Sequence, residues 1–243
     1  MQIRDSVVLI TGAAQRVGRA VALNLAGQGA HIAFSYLSAD EPWAQTMRDL
    51  ESHGIQVCAT QADVTQADQV GNLVERAIQD LGRIDILINN ASVWLKKPFM
   101  EIAEAEWDAA LSINAKGPFL VSQCVARHMQ RQGQGLIINM TDLSAFQVWE
   151  GYAHHAASKA ALVALTKAMA LELAPAIRVN AIAPGTVLLP DDASADKRAW
   201  AVNRSVLKRV GSPEDVARTV RYLIEEDFAT GGVYLVDGGR SLI

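Results

Sequence analysis

The sequence predicts an α/β fold, a doubly wound parallel sheet of seven strands with helices on both faces, and three observations predict it. Short β-branched apolar runs alternate with helical patterns along the chain. The runs are continuously hydrophobic, as strands are when both faces of a sheet are covered. The first run leads through Thr11-Gly-Ala-Ala-Gln-Arg-Val-Gly18 straight into a helix, and right-handed crossovers complete the winding.

In order, the first strand is Val7–Ile10, followed by a helix over 17–28 that opens on the glycine-rich turn. His31–Ser35 leads to a helix over 42–53, and Ile55–Ala59 to one over 66–81. Ile84–Ile88 is the fourth strand; helices over 104–110 and 113–131 separate it from Leu136–Met140. A long Ala-rich helix over 154–173 precedes Ile177–Ile182, and a helix over 213–225 precedes the last strand, Val233–Val236. No Pro/Gly/Ser linker or charge run divides the 243 residues, so one dinucleotide-binding domain over 1–243 is expected. The polar segment 186–205, with Trp200 as a substrate-binding candidate, suits a lid.

Half the residues are hydrophobic, which argues against disorder, and a net charge of −4 gives no basic field for nucleic acid. Cys58 and Cys124 are too few and too distant for a metal ligand set, and they read as core thiols of a reduced compartment. The N-terminus runs into the first strand without a leader pattern, and Lys167 and Glu172 interrupt the most apolar helix. A cytoplasmic protein that spans no membrane, binds no metal and takes a small-molecule substrate is expected.

Gly12, Val17 and Gly18 are cofactor-binding candidates, because glycines at a strand-to-helix turn admit a pyrophosphate to free helix N–H groups. The second strand ends Phe34-Ser-Tyr-Leu-Ser38 with no carboxylate until Asp40, so nothing there repels a 2'-phosphate. Arg16 and Ser38 can bind that phosphate, which selects NADP(H); Arg16 can equally be a solvated cation. Asp63 and Val64 can hold an adenine edge, although a helix-start Asp is also an ordinary cap. Asn90, Ala91 and Ser92 can line a ribose, or simply form a turn.

The stretch Asn139–Lys159 carries the chemistry. His155 and Lys159 are four apart on one helix face. Asp142 comes off the carboxyl end of a strand, where open α/β sheets keep their ligands. An acid, an imidazole and an ammonium can therefore converge.

These landmarks resemble the short-chain dehydrogenase/reductase superfamily over essentially the whole chain: Thr11-Gly12 to Gly18, Asp63-Val64, Asn89-Asn-Ala91, Asn114, the stretch ending at Lys159, Pro184-Gly185 and Val236-Asp-Gly-Gly239. The resemblance implies a nicotinamide cofactor touching Lys159, Pro184 and Gly185, catalytic roles for Asn114 and Lys159, pro-S hydride delivery and a homotetramer. Arg16, Ser92 and Asp142 stand where the family usually has Gly, Gly and Ser, and in this they resemble the pteridine reductase branch. That likeness makes Arg16, Ser92, Trp94 and Asp142 substrate-binding candidates, with Trp94 stacking on a flat heterocycle.

His155 stands where the family carries its catalytic Tyr. Tyr152, most of a helical turn away, cannot simply replace it. A neutral imidazole is a poor acid, so the expectation is that Asp142 keeps His155 protonated, or that Asp142 itself donates through water. The sequence thus points to an NADPH-dependent reductase of a small carbonyl or a pterin-like C=N group. A generic ketoreductase and a catalytically silent NADP(H)-binding protein are the alternatives.

Overall fold

Alternate side chains of each central strand point to opposite faces of the sheet, and each face has its own core. In β1 (Val7–Ile10), Val8 and Ile10 join one apolar cluster and Leu9 the other. β4 (Ile86–Asn89) repeats the division, with Ile86 and Ile88 on one side and Leu87 on the other. A strand buried on both sides has no face to leave polar, which accounts for the unbroken apolar runs. The computed structural model describes residues 1–190 and 192–243; Asp191, within the expected lid, lies outside the described residues.

The remaining elements are α1 (Arg16–Ala26), β2 (His31–Tyr36), α2 (Trp43–Glu51), β3 (Val57–Gln61), α3 (Ala67–Leu81), α4 (Glu104–Leu111), α5 (Gly117–Gln132), β5 (Gly135–Met140), α6 (Ala153–Leu173), β6 (Ile177–Pro184), α7 (Ala195–Asn203), α8 (Pro213–Glu225) and β7 (Val233–Val236). The seven strands pair in parallel in the order β3-β2-β1-β4-β5-β6-β7. Buried residues of α1 and α8 fill one cluster, and those of α3 and α5 the other. This is the doubly wound sheet that the sequence predicts. Because the chain winds outward from β1 to β3 and then crosses back to β4, the carboxyl ends of β1 and β4 open a crevice between them.

Strand ends differ from the sequence reading because pairing, not hydrophobicity, sets them. The ladder between β2 and β3 runs from Ile32 opposite Val57 to Tyr36 opposite Gln61, so Ile55 packs beside the core outside the strand. Ile84 is fully buried yet precedes β4. The helix expected over 113–131 begins at Gly117, after a π turn over Ser112–Lys116 that contains Asn114. The expected lid contains a helix, α7, capped by Ser194 accepting from Lys197 N at 3.2 Å. Among the described residues no helix is long and apolar enough to cross a membrane, and no cluster of metal-ligating side chains occurs.

Candidate active site

The crevice is shaped by glycines that could not carry side chains. Gly12 has φ +63°, and a Cβ there would stand 3.0 Å from Ala91 Cα; at Gly18 it would stand 2.8 Å from Gly12 O. Asn90 Nδ2 donates to Thr11 O and Gly12 O, each at 2.9 Å, and the amides of Asn90 and Ala91 donate to Thr11 Oγ1, each at 3.0 Å. Gly12 N donates to Ser35 Oγ at 3.1 Å. These bonds tie the ends of β1, β2 and β4 into one cradle at the N-terminus of α1, where free N–H groups favour an anion. Arg16 opens α1 with φ +57°, a conformation that costs a non-glycine residue about 1–2 kcal/mol.

A cavity of about 790 Å³ lies above this cradle. Gly12, Arg16, Val17 and Gly18 form its floor, and Asp63, Val64, Asn90, Ala91 and Ser92 one wall. Trp94, Asp142, Lys159, Pro184 and Gly185 close the far end. Four candidates do not line it: Ser38, Asn114, His155 and Trp200. Asp63 also caps its own turn, accepting from Thr65 N at 2.9 Å and Thr65 Oγ1 at 2.8 Å, as its reading as an ordinary cap expects.

At the far end an acid–imidazole pair stands behind the wall. His155 is fully buried, and its Nε2 lies 2.8 Å from Asp142 Oδ2. Asp142 Oδ1 accepts from Ser144 N at 2.8 Å and from Ser144 Oγ. On the opposite side of the ring, His155 Nδ1 is 3.5 Å from Asn114 Nδ2. The Asn114 amide is fixed in orientation, because its Oδ1 accepts from Val93 N at 2.9 Å while Nδ2 donates to Val93 O at 3.1 Å and Ser158 Oγ at 3.0 Å. A proton on Nδ1 would therefore face an N–H donor. The geometry gives the ring hydrogen to Nε2, which donates to Asp142. The π turn presents Asn114 to this network, a use such bulges commonly have.

Burial raises the Asp142 carboxyl, but the His155 hydrogen bond, the Lys159 charge and Ser144 outweigh it and hold the group below its ordinary value. Burial pushes the Lys159 ammonium down, against the pull of Asp142. Lys159 Nζ donates to Met140 O at 3.0 Å, which anchors it at the carboxyl end of β5.

Two features escaped the sequence reading. The first is Glu41, whose Oε1 accepts from Leu37 N at 2.7 Å and Ser38 N at 3.0 Å while the residue lines the cavity. A carboxylate thus sits just past β2 after all, held by loop backbone, and its place three residues beyond Ser38 was the only available signal. The second is an aromatic group. Trp94 Nε1 donates to the Tyr152 phenol oxygen, Oη, at 3.3 Å, and the Trp94 ring lies 4.4 Å from that of His155, centroid to centroid. Trp94 therefore packs over the imidazole as well as facing the cavity.

His154, beside the pair, is fully buried, and among the described residues neither ring nitrogen has a hydrogen-bond partner. Burial holds its pKa below 6.5; Glu106 opposes the effect and His155 adds to it. A folded pKa below the unfolded one means that the unfolded chain binds more protons as pH falls through 6.5. Stability is accordingly expected to fall from pH 7 to 5.5, with a slope of at most about 1.4 kcal/mol per pH unit from this group. In thermal melts the His154→Leu variant should show a shallower decline than wild type; equal slopes would assign the effect elsewhere.

Cradle, crevice and the buried acid–imidazole–ammonium group meet on the main cavity at one end of the parallel sheet. A family model described as Enoyl-(Acyl carrier protein) reductase matches residues 12–241. The chain is 36% identical, over its whole length and 99% of the relative's, to BbsD of Thauera aromatica, a hydroxy(phenyl)methyl-succinyl-CoA dehydrogenase subunit. It is also 36% identical, over 98% of its length and 99% of the relative's, to the 3-oxoacyl-acyl-carrier-protein reductase FabG of Thermotoga maritima. A solved Serratia marcescens short-chain dehydrogenase/reductase superposes with a TM-score of 0.92 at 33% identity, covering 99% of this chain and 100% of that one. The chain belongs to the short-chain dehydrogenase/reductase family and is an oxidoreductase of that family, which uses nicotinamide cofactors.

Proposed function

We propose that the protein is an NADPH-dependent reductase that passes hydride to a small carbonyl or a pterin-like C=N group, with Asp142 as the group that exchanges the proton. The observation that carries this is the Asp142 carboxylate at the cavity wall, hydrogen-bonded on its inner side to a buried imidazole and within the field of Lys159. The glycine cradle fits the cofactor, since Cβ atoms at Gly12 and Gly18 would strike Ala91 and the Gly12 and Ala13 backbone and force open the turn whose free helix N–H groups favour a pyrophosphate. A bound reduced nicotinamide supplies the hydride. The oxygen or nitrogen left negative then needs a proton; Asp142, ionised in the resting pair, takes one from solvent through the cavity it lines and passes it on directly or through one water. His155 Nε2–H donates to the carboxylate and orients it, and Asn114 fixes that ring. Run backwards, the same ionised carboxylate takes a proton from a hydroxyl.

The substrate end supports two readings. Ser92, Trp94 and Asp142 at the wall match the residues of the pteridine reductase likeness, which favours a flat heterocycle. The tie from Trp94 to Tyr152 and His155 gives the indole a packing duty instead, and with a FabG among the relatives it favours a ketoreductase. Following NADPH absorbance over dihydropteridines, quinones and ketoacyl thioesters decides between them. Measurable NADPH binding with no oxidation across the panel would leave a silent nucleotide-binding protein.

For the cofactor, we infer that Arg16 attracts the 2'-phosphate while Glu41 competes for the Leu37 and Ser38 amides. Arg16→Gly is expected to weaken NADPH binding about tenfold relative to NADH, the size of a lost charge-assisted hydrogen bond. It should also stabilise the fold by about 1 kcal/mol, because glycine accepts positive φ. Glu41→Gln should shift the ratio toward NADPH. Nicotinamide fluorescence titrations read both; an unchanged ratio in Arg16→Gly would remove the 2'-phosphate assignment.

A further inference from the structure

The turn over 240–242 carries an arginine with no ion-pair partner among the described residues; Asp142 and Asp237 favour its charge only from a distance. Asp237, the nearest acid in sequence, is committed to backbone, accepting from Gly239 N at 2.9 Å and Ser241 N at 2.7 Å. Gly238 and Gly239, at φ +63° and +79°, turn the chain so that Arg240 reaches back across β6. Its Nη1 donates to Thr186 Oγ1 at 2.7 Å. The guanidinium carbon lies 4.6 Å from the Trp149 ring centre and 5.3 Å from that of Trp200, and Arg204 lies 5.2 Å from Trp200 on the lid helix α7. Arg240 Nε and Trp149 Nε1 are both buried without hydrogen-bond partners among the described residues.

Neither Arg240 nor Arg204 has a carboxylate within ion-pair distance among the described residues, whereas nearby Arg209 and Arg218 are both paired with Asp215. A half-buried cation without a counter-charge is costly, and burial together with the Arg204 charge disfavours its protonated form. Cation–π contact with two indoles offsets part of that cost and holds the side chain rigid, but it supplies no negative charge. Arg240 and Arg204 also line a second hollow of about 340 Å³ that meets the main cavity at Val187. From there a stack of rings leads back to the acid–imidazole pair: Trp149 lies 6.0 Å from Trp94, and Trp94 lies 4.4 Å from His155.

We propose that Arg240, assisted by Arg204, receives an acidic group of the substrate, a carboxylate or a phosphate, placed beyond the reducible carbon. This rests on the reductase reading and names the substrate class for it. An anion in the second hollow would complete the unpaired charge and draw Trp200 and α7 down over the main cavity. A guanidinium held between two indoles loses little freedom on donating to such a group through Nη2, the nitrogen that neither Thr186 nor burial occupies.

The test uses two matched pairs of probes with the NADPH-bound protein: phenylglyoxylate against methyl phenylglyoxylate, and dihydroxyacetone phosphate against dihydroxyacetone. Tryptophan fluorescence reads binding, since two indoles flank the guanidinium, and NADPH absorbance reads turnover. The charged member of at least one pair is expected to bind about tenfold or more tightly than its neutral partner, as a charge-assisted bond warrants, and the pair that shows it separates carboxylate from phosphate. The preference should vanish in Arg240→Gln and return in part in Arg240→Lys; Arg204→Gln should lower it if Arg240→Gln fails to fold. No charge preference in wild type, or a preference unchanged in the Arg240 and Arg204 variants, overturns the proposal. Turnover without charge preference would remove this site and leave the reductase standing. Charge-selective binding with no NADPH oxidation would do the reverse.

Discussion

Replacing Asp142 by Asn is expected to lower kcat about 10²–10³-fold on the best substrate of the panel while NADPH still binds, the loss usual for a positioned proton donor or acceptor. The side chain keeps its shape, so Ser144 N can still donate to Oδ1, but a neutral amide no longer exchanges a proton at this pH. Its NH2 group also meets the hydrogen on His155 Nε2. To avoid that clash the ring must move its hydrogen to Nδ1, where Asn114 Nδ2 stands 3.5 Å away as another donor. Either arrangement leaves two donors facing each other. His155→Ala tests the division of labour, because it removes the inner proton without touching the carboxylate. A loss comparable to Asp142→Asn shows that the carboxylate works only while His155 Nε2 donates to it, and a loss under about tenfold shows that Ser144 alone positions Asp142 well enough. Unimpaired turnover in Asp142→Asn would remove the carboxylate from the reaction.

Gly18→Ala is expected to weaken binding of either nicotinamide nucleotide by about 10²-fold or more. Its Cβ would stand 2.8 Å from Gly12 O and 2.9 Å from Ala13 Cα, both backbone, with Asn90 Nδ2 at 2.5 Å. Backbone at that distance must shift, and the shift opens the cradle whose amides face the pyrophosphate. Overpacking of this kind costs about 1–3 kcal/mol of stability as well, so binding must be read at a temperature where circular dichroism shows the variant folded. Gly71→Ala, in α3 with open space around it, supplies the contrast: unchanged binding and a gain of up to about 1 kcal/mol from helix propensity. Equal nucleotide affinity in Gly18→Ala and wild type would show that the cradle does not hold the phosphates.

Much of the molecule was legible residue by residue. The seven strands announce themselves because burial on both faces demands unbroken apolar runs, and the cradle announces itself because only glycine tolerates backbone contact on one side and positive φ on the other. Lys159 and Asp142 at the cavity wall follow from the rule that strand carboxyl ends carry the site. Element ends were less legible. β3 lies two residues later than its apolar run because the hydrogen-bond ladder to β2 decides where a strand stops, and the turn over Ser112–Lys116 reads locally as ordinary helix.

Within the site, the sequence put His155 one helical turn from Lys159, but it could not say that the imidazole is sealed behind Asp142 instead of facing the cavity. That depends on Trp94 arriving from the loop after β4 and Asn114 from the π turn. Glu41 looked like a loop acid until the fold brought its carboxylate onto the amides at the end of β2. Nothing in the stretch around Arg240 names its neighbours, and its place between Trp149 and Trp200 joins three segments far apart along the chain. Burial and backbone geometry act on each residue with its near neighbours, so periodicity and glycine placement fixed the sheet and the cradle in advance. The partner of a charge or a ring is chosen by packing between distant segments, and only the folded chain decided which groups face the substrate.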